Sequence, residues 1–182
     1  EVTIFPAIPI SEAIIDDRIV PLPVNLHAPP LFGITLFEKM RGFSDDGLTI
    51  GYYIFERAIK KIKKFFSDSE IIIIYQPSTL SAYKIISPTV SFRGNMGDYG
   101  IVDTKKLDQR HFEVCREILK ISQKLQISFF DTTRYLRDAS SKGYIHGPKD
   151  WDHLNELGYR AFSDSISHFI LHPDESYQNC TN

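Results

Sequence analysis

Residues 147–159, with the sequence GPKDWDHLNELGY, contain the side chains best suited to chemistry in this chain. Asp150 and His153 lie three residues apart, in a turn that begins at Gly147 and Pro148 and leads into a predicted helix. At this spacing the carboxylate can hold one ring nitrogen of the imidazole, which fixes the tautomer and leaves the other nitrogen able to accept a proton. The pattern indicates the general-base half of a Ser-His-Asp system.

The same turn permits two simpler interpretations. An isolated Asp-x-x-His pair is more often a helix cap or a surface hydrogen bond than a catalytic dyad. A divalent metal ion is the other alternative, because the turn offers mixed nitrogen and oxygen ligands, although their spacing matches no common zinc motif. The candidate ligands are His146, Asp150, Asp152 and His153.

Helices and strands alternate along the part of the chain that must position this turn. Apolar residues recur at three- and four-residue spacing from Tyr52 to Phe66, which predicts a helix with a solvated lysine face. The continuous apolar run at 71–75 predicts a strand of a parallel sheet that is buried on both faces. A second helix, with Asp108 as its cap, and a second strand at 127–131 follow, and the final helix begins after Asn155.

This alternation predicts the α/β class with a mainly parallel sheet. We expect one domain over residues 1–182, in which residues 1–44 form an extended or hairpin-like excursion with a turn at Asp16, Asp17 and Arg18. Residues 79–107 are predicted to be a long irregular connection. Only two central strands are recognisable, fewer than the four to six that sheets commonly have, so the domain is expected to be incomplete at its N-terminus.

The composition excludes several classes of function. Its 21 basic and 23 acidic residues are nearly balanced, so no overall field attracts nucleic acid. The longest apolar run is too short to span a membrane. Two cysteines, Cys115 and Cys180, are too few for a disulfide framework and do not fix the redox compartment. His111, His168 and His172 are expected at the surface or at helix ends.

The segment DWDHLNELGY, residues 150–159, resembles the last motif of the SGNH, or GDSL, hydrolases, in which Asp-x-x-His precedes Asn and Gly-Tyr. The segments IIIIYQPSTLSAY and ISFFDTTRYL are similar to two strand regions of that family, and IIDDRIVPLPVN is similar to a hairpin insertion of its bacterial esterase and acyltransferase branch. The resemblance implies a three-layer α/β/α, flavodoxin-like fold. It also implies that His153 is the general base and Asp150 its orienting acid, with Asp152 as a weaker candidate for the latter role.

Two further motifs of that family are missing from this sequence. Neither the Gly-Asp-Ser motif with the nucleophile nor the Gly-x-Asn-Asp motif of the oxyanion hole is present, and GNMGD at 94–98 does not match the latter. The sequence FSDS ends at Ser69 and again at Ser165, but neither serine follows a strand and opens a helix, as an exposed nucleophile would. We therefore expect this chain to be the C-terminal portion of the enzyme and to be inactive alone, with the nucleophile upstream.

The resemblance implies a serine esterase or acyltransferase acting on O-acetyl groups of carbohydrates or related esters. No cofactor and no resident metal is implied, and an extracytoplasmic location is favoured by the resemblance alone. The expected partners are the ester substrate and the missing N-terminal segment of the same domain. Two alternatives stay open: a noncatalytic carbohydrate-binding or scaffold domain with the same fold, and a metal-dependent hydrolase that uses the His and Asp cluster.

Overall fold

A computed structural model describes residues 11–22, 45–93, 99–148, 152–172 and 180. These residues form a mixed α/β structure in which the predicted α/β class is confirmed. The helices are α1 (Asp45–Phe65), α2 (Thr104–Leu125), α3 (Thr133–Ser140) and α4 (Glu156–Leu171). The strands are β1 (Ser11–Ile15), β2 (Arg18–Leu22), β3 (Ile72–Tyr75), β4 (Thr89–Arg93), β5 (Tyr99–Asp103) and β6 (Ser128–Asp131).

The strands β3 and β6 form the predicted parallel pair, in which Tyr75 lies opposite Asp131. Successive side chains of a strand point to opposite faces, so adjacent phenylalanines in β6 contact different helices. Phe129 packs with Val114 of α2, whereas Phe130 stacks on Phe169 of α4 with ring centroids 4.6 Å apart. A helix therefore covers each face of this pair, and the two strand ends point in the same direction.

The predicted burial of β3 on both faces is wrong. Within β3 only Tyr75 is buried, and Ile74 is 38% exposed. Among the described strands β3 pairs with β6 only, so its side chains lack the neighbours that a central strand has on both sides. Exposed apolar side chains also lie on α1, where Ile54 is 60% and Phe65 79% exposed, while Ile59 is buried.

The predicted hairpin in the first part of the chain is confirmed for residues 11–22. The strands β1 and β2 are antiparallel, and Asp16 and Asp17 form the turn with φ values of 50° and 55°. Aspartate tolerates this left-handed conformation better than most residues, which explains the acidic pair at this position. Residues 1–10 and 23–44, which belong to the same predicted excursion, lie outside the described residues.

The predicted irregular connection over 79–107 is wrong. It contains a 3-10 turn at Leu80–Ala82, the antiparallel hairpin of β4 and β5, and the start of α2. The cap of α2 is Asp103, whose side chain accepts hydrogen bonds from the backbone N–H groups of Lys105 and Lys106. Asp108 lies one turn inside the helix and instead pairs with Arg137, at 2.8 Å.

The main hydrophobic core lies between the β1–β2 hairpin, the segment around Tyr83, and α3. Its fully buried side chains include Leu22, Leu80, Leu136 and Ile145. Leu154, which immediately follows His153, also belongs to this core. The turn with the candidate base is thus anchored at one end by a buried leucine.

None of the helices formed by the described residues combines the length and the apolar character needed to cross a bilayer.

Candidate functional site

The carboxyl ends of β3 and β6 are joined by Thr132. Its backbone N–H and its hydroxyl both donate to the carbonyl oxygen of Tyr75, at 3.0 and 2.8 Å. Thr132 is the N-cap residue of α3 by position, but its side chain makes no capping hydrogen bond because it bonds to the neighbouring strand. In open α/β sheets, ligands bind beyond the carboxyl ends of the strands, so this edge is where a site is expected.

The candidate base His153 is exposed in the bend that precedes α4. Asp152 is exposed beside it, and both residues interact with other groups of the protein. Asp150, the predicted orienting acid, lies outside the described residues. The predicted pairing of Asp150 with His153 therefore stays a prediction.

The segment after His153 is fixed to residues 144–146 by several hydrogen bonds. Leu154 forms an isolated antiparallel bridge with His146. The backbone N–H of Asn155 donates to the carbonyl oxygen of Ile145, at 2.8 Å. Its side-chain amide donates to the carbonyl oxygens of Tyr144 and His146, at 2.7 and 3.3 Å. The backbone that directly follows His153 is consequently anchored to the 144–146 segment.

Asn155 also caps α4, as predicted. Its Oδ1 accepts a hydrogen bond from the backbone N–H of Gly158, at 3.1 Å. The side chain of Asn155 thus accepts a hydrogen bond from the first turn of α4 with its oxygen, and it donates hydrogen bonds to the 144–146 segment with its nitrogen. Without this side chain, an N–H group in the first turn of α4 and carbonyl groups of the 144–146 segment would lose their hydrogen bonds close to the core.

Gly158 allows α4 to approach this segment closely, which confirms its predicted packing role. A Cβ atom at this position would lie 2.4 Å from the carbonyl oxygen of Ile145 and 2.8 Å from Cδ2 of Leu154. The first contact is with backbone, which cannot rotate away. The Asn and Gly of the motif are therefore explained by the geometry of the helix start.

Asn155→Ala is expected to lower the free energy of unfolding by about 1–2 kcal/mol, because it removes a cap and a hydrogen-bond donor to buried backbone. Asn155→Asp keeps the oxygen that caps Gly158 but loses the amide donors, so we expect a smaller loss. Urea unfolding of the three proteins measures both effects. Wild-type stability in both variants would contradict the bracing role.

Beneath the turn, Tyr83 and His146 form a buried pair. The hydroxyl of Tyr83 lies 3.1 Å from Nδ1 of His146 and accepts from the backbone N–H of Ile145, at 3.2 Å. Burial lowers the pKa of His146 to about 4 and raises the pKa of Tyr83 to about 12. The pair is therefore neutral at pH 7 and supports the turn through packing and hydrogen bonds.

The prediction that His111 lies at the surface is wrong, since this side chain is fully buried. Its Nδ1 lies 3.1 Å from the Tyr75 hydroxyl and its Nε2 lies 3.3 Å from Oγ1 of Thr133. Because the Thr133 hydroxyl donates to Asp131, its oxygen accepts from Nε2–H, and Nδ1 then accepts from Tyr75. Burial, with a smaller effect of the nearby Arg137, lowers the pKa of His111 to about 3. His168 and His172 are exposed at the end of α4, as predicted.

The two buried histidines make stability depend on pH. Both have folded-state pKa values below the value of about 6.5 in an unfolded chain, so the unfolded chain binds more protons as the pH falls. Their contribution is complete above about pH 6.5 and is lost down to about pH 4 for His146 and about pH 3 for His111. Each contributes a slope of up to about 1.4 kcal/mol per pH unit.

We expect the free energy of unfolding to fall between about pH 6.5 and pH 5, where most carboxylates are still ionised. His146→Gln should reduce this slope, because glutamine does not titrate. Urea unfolding of both proteins at a series of pH values provides the measurement, and equal slopes in the wild type and His146→Gln would exclude His146 as a source.

Neither serine of the repeated FSDS sequence has the geometry of a nucleophile. Ser165 is buried within α4, where its hydroxyl donates to the carbonyl oxygen of Phe162, at 2.7 Å. Ser69 is exposed in the turn between α1 and β3 and does not open a helix. Both observations agree with the interpretation, made from the sequence, that neither serine is the nucleophile.

Within the described residues, His146, Asp152 and His153 do not form a group of potential metal ligands, and Asp150 lies outside those residues. The one group found there consists of Cys115, Asp131 and Cys180, all buried. Sequence reasoning missed this group, because its members are far apart along the chain and follow no ligand spacing motif.

Cys115 and Cys180 form a disulfide that closes a loop with a sequence separation of 65 residues. Cys115 lies on α2, and Cys180 is buried against it and against Phe129. The sequence alone gave no indication of this pairing, since the two cysteines are remote and of different local pattern. The disulfide joins Cys180 to α2, and the backbone N–H of Cys180 donates to Asp131 at the carboxyl end of β6, at 2.9 Å.

Comparison of the chain with models of protein families, with curated proteins and with solved structures found no match.

Proposed function

We propose that this chain is the C-terminal portion of an SGNH-type serine hydrolase with a three-layer α/β/α fold. It contributes the general base His153 and the orienting acid Asp150, and the nucleophilic serine lies upstream of residue 1. The resemblance of residues 150–159 to the family motif is the starting point. The parallel β3–β6 pair, with a helix on each face, supports the proposed fold.

The observation that carries this proposal is the bracing of the turn. His153 is exposed, yet the next two residues are bound to the 144–146 segment through the Leu154 bridge and the Asn155 hydrogen bonds. A general base must be held in place while its ring stays accessible to substrate and nucleophile. An ordinary helix cap would not need the second set of hydrogen bonds, from the amide of Asn155 to the preceding segment.

The proposed reaction is acyl transfer through a covalent intermediate. The serine attacks the ester carbonyl, and His153 accepts the serine proton and returns it to the departing alcohol. Asp150 stabilises the imidazolium that forms in between. Water, or a second hydroxyl group, then opens the acyl-enzyme with His153 again acting as base. No step uses a cofactor.

A carbohydrate O-acetyl ester is the substrate class that we propose, by analogy with the bacterial branch that the sequence resembles. A cleft of about 340 Å³ between α3 and α4 is lined by Tyr135, Leu157, Arg160 and Asp164, among other residues. An aromatic ring beside polar side chains suits a sugar. The disulfide supports an extracytoplasmic location, because disulfides persist in oxidising compartments.

Labelling with a fluorophosphonate probe tests the proposal. The protein expressed from its full reading frame should react covalently at one serine upstream of residue 1 and should hydrolyse 4-nitrophenyl acetate. Residues 1–182 alone should show neither reaction. An upstream sequence that contains no reactive serine, in a protein with no esterase activity, would contradict the proposal.

The cleft also favours a second candidate, a noncatalytic carbohydrate-binding domain with the same fold. In that case a Tyr135→Ala variant would lose binding to acetylated polysaccharide, while the full-length protein would react with no fluorophosphonate. The labelling result therefore separates the two functions.

A further inference from the structure

Cys115, Cys180 and Asp131 form a buried group at the carboxyl end of β6, which we call the cysteine–aspartate cluster. One ligand atom from each residue lies within 4.8 Å of the others. The exposed fractions are 0% for Cys115, 4% for Cys180 and 6% for Asp131. The three residues come from α2, from β6 and from a position near the end of the chain, so the tertiary structure alone brings them together.

The carboxylate of this cluster is held in a fixed orientation. Its Oδ1 accepts from the backbone N–H of Thr133, at 2.9 Å, and from the Thr133 hydroxyl. That hydroxyl oxygen also lies 3.3 Å from Nε2 of His111. Hydrogen bonds of this kind orient metal ligands in proteins, where they fix the carboxylate and leave its second oxygen for the ion.

The second oxygen, Oδ2, faces the sulfur atoms. It lies 3.4 Å from Sγ of Cys115 and accepts from the backbone N–H of Cys180, at 2.9 Å. A disulfide sulfur carries no proton to donate, so the disulfide itself gains no hydrogen bond from this carboxylate. The contact acquires a function when the sulfurs are reduced, since two thiolates and a carboxylate are ligands that zinc accepts.

We propose that the cysteine–aspartate cluster is a redox-controlled site for a thiophilic divalent ion of the zinc class. In the oxidised protein the disulfide occupies the two sulfur ligands and the site binds no ion. In the reduced protein the two thiolates and Oδ2 of Asp131 bind Zn²⁺, with water as the fourth ligand. This inference is independent of the proposed esterase function.

Reduction of the disulfide precedes metal binding. A dithiol reductant transfers two electrons and two protons to the disulfide, which yields two cysteine thiols and the oxidised, disulfide form of the reductant. Zn²⁺ then replaces the two thiol protons, which pass to solvent. Two thiolates, one carboxylate and Zn²⁺ leave one net negative charge, and the backbone N–H of Cys180 lies next to it.

Metal uptake by the full chain in its two redox states tests this proposal. We expect the chain reduced by a phosphine to bind one Co²⁺, with a thiolate-to-cobalt charge-transfer band in the near ultraviolet, and to exchange it for Zn²⁺. The oxidised chain should show no such band. A reduced chain that is folded by circular dichroism and binds no ion would overturn the proposal.

Variants separate the ligands from their surroundings. Cys180→Ser should abolish the charge-transfer band, and Thr133→Val should weaken metal affinity by about 10–100-fold through its effect on Asp131. Ser122→Ala is the matched control, because Ser122 is buried on the same helix as Cys115 and its hydroxyl donates to the carbonyl oxygen of Ile118, away from the cluster. Equal affinity in Cys180→Ser and the reduced wild type would also overturn the proposal.

Discussion

His153→Ala, in the protein expressed from its full reading frame, is expected to lower kcat for a small acetyl ester by at least about ten-thousandfold. Loss of the base leaves the nucleophilic serine protonated. In serine hydrolases, removal of the histidine lowers kcat about as much as removal of the whole triad. Asp150→Asn should lower kcat by a smaller factor, because the imidazole is still present although its orientation is fixed less well. Initial rates with 4-nitrophenyl acetate measure both effects.

Two controls make this result specific. His172→Ala removes an exposed histidine at the end of α4, the helix that begins just after His153, and should leave kcat unchanged. The unfolding transition of His153→Ala should match that of the wild type, since the bracing hydrogen bonds come from Asn155 and the backbone. Wild-type activity in folded His153→Ala would refute the assignment of the base.

Phe130→Ala is expected to lower the free energy of unfolding by about 3–5 kcal/mol. The side chain is fully buried in β6, and its ring stacks on Phe169 of α4. Truncation removes this contact and leaves a cavity between the strand pair and the helix, which rigid neighbours refill only in part. Because α4 carries the braced turn at its start, the same change should loosen the position of His153.

Phe65→Ala is the matched control for Phe130→Ala. Phe65 is 79% exposed at the end of α1, so the same truncation should change stability by less than about 0.5 kcal/mol. Urea unfolding gives both changes in free energy from the shift of the midpoint urea concentration, provided that the dependence of the free energy on urea concentration stays the same. A similar loss in the two variants would mean that the contact with Phe169 does not determine the effect.

Much of the architecture followed from local patterns in the sequence. The apolar runs at 71–75 and 127–131 predicted β3 and β6, and the structure confirms them as a parallel pair. Asn155 and Gly158 were assigned correctly because helix capping and close approach depend on a few adjacent residues. The turn at Asp16 and Asp17 was recognisable for the same reason.

Errors arose where neighbours in space determined the outcome. The segment 79–107 contains a hairpin whose strands are short, so the alternation was too weak to detect. Asp103 caps α2 in place of Asp108 because the helix begins immediately after β5. His111 was expected at the surface because its polarity was visible, whereas its buried partners Tyr75 and Thr133 lie on other elements.

The sequence by itself therefore determined the α/β class, the two parallel strands and the candidate residues Asp150 and His153. Only the tertiary structure decided which remote residues meet: the bracing of the turn by residues 144–146, the buried histidines, and the cluster of Cys115, Asp131 and Cys180. The physical reason is one of range. Periodicity, capping and turns are properties of neighbouring residues, whereas a disulfide or a ligand set depends on how separate elements pack, and no local pattern records that arrangement.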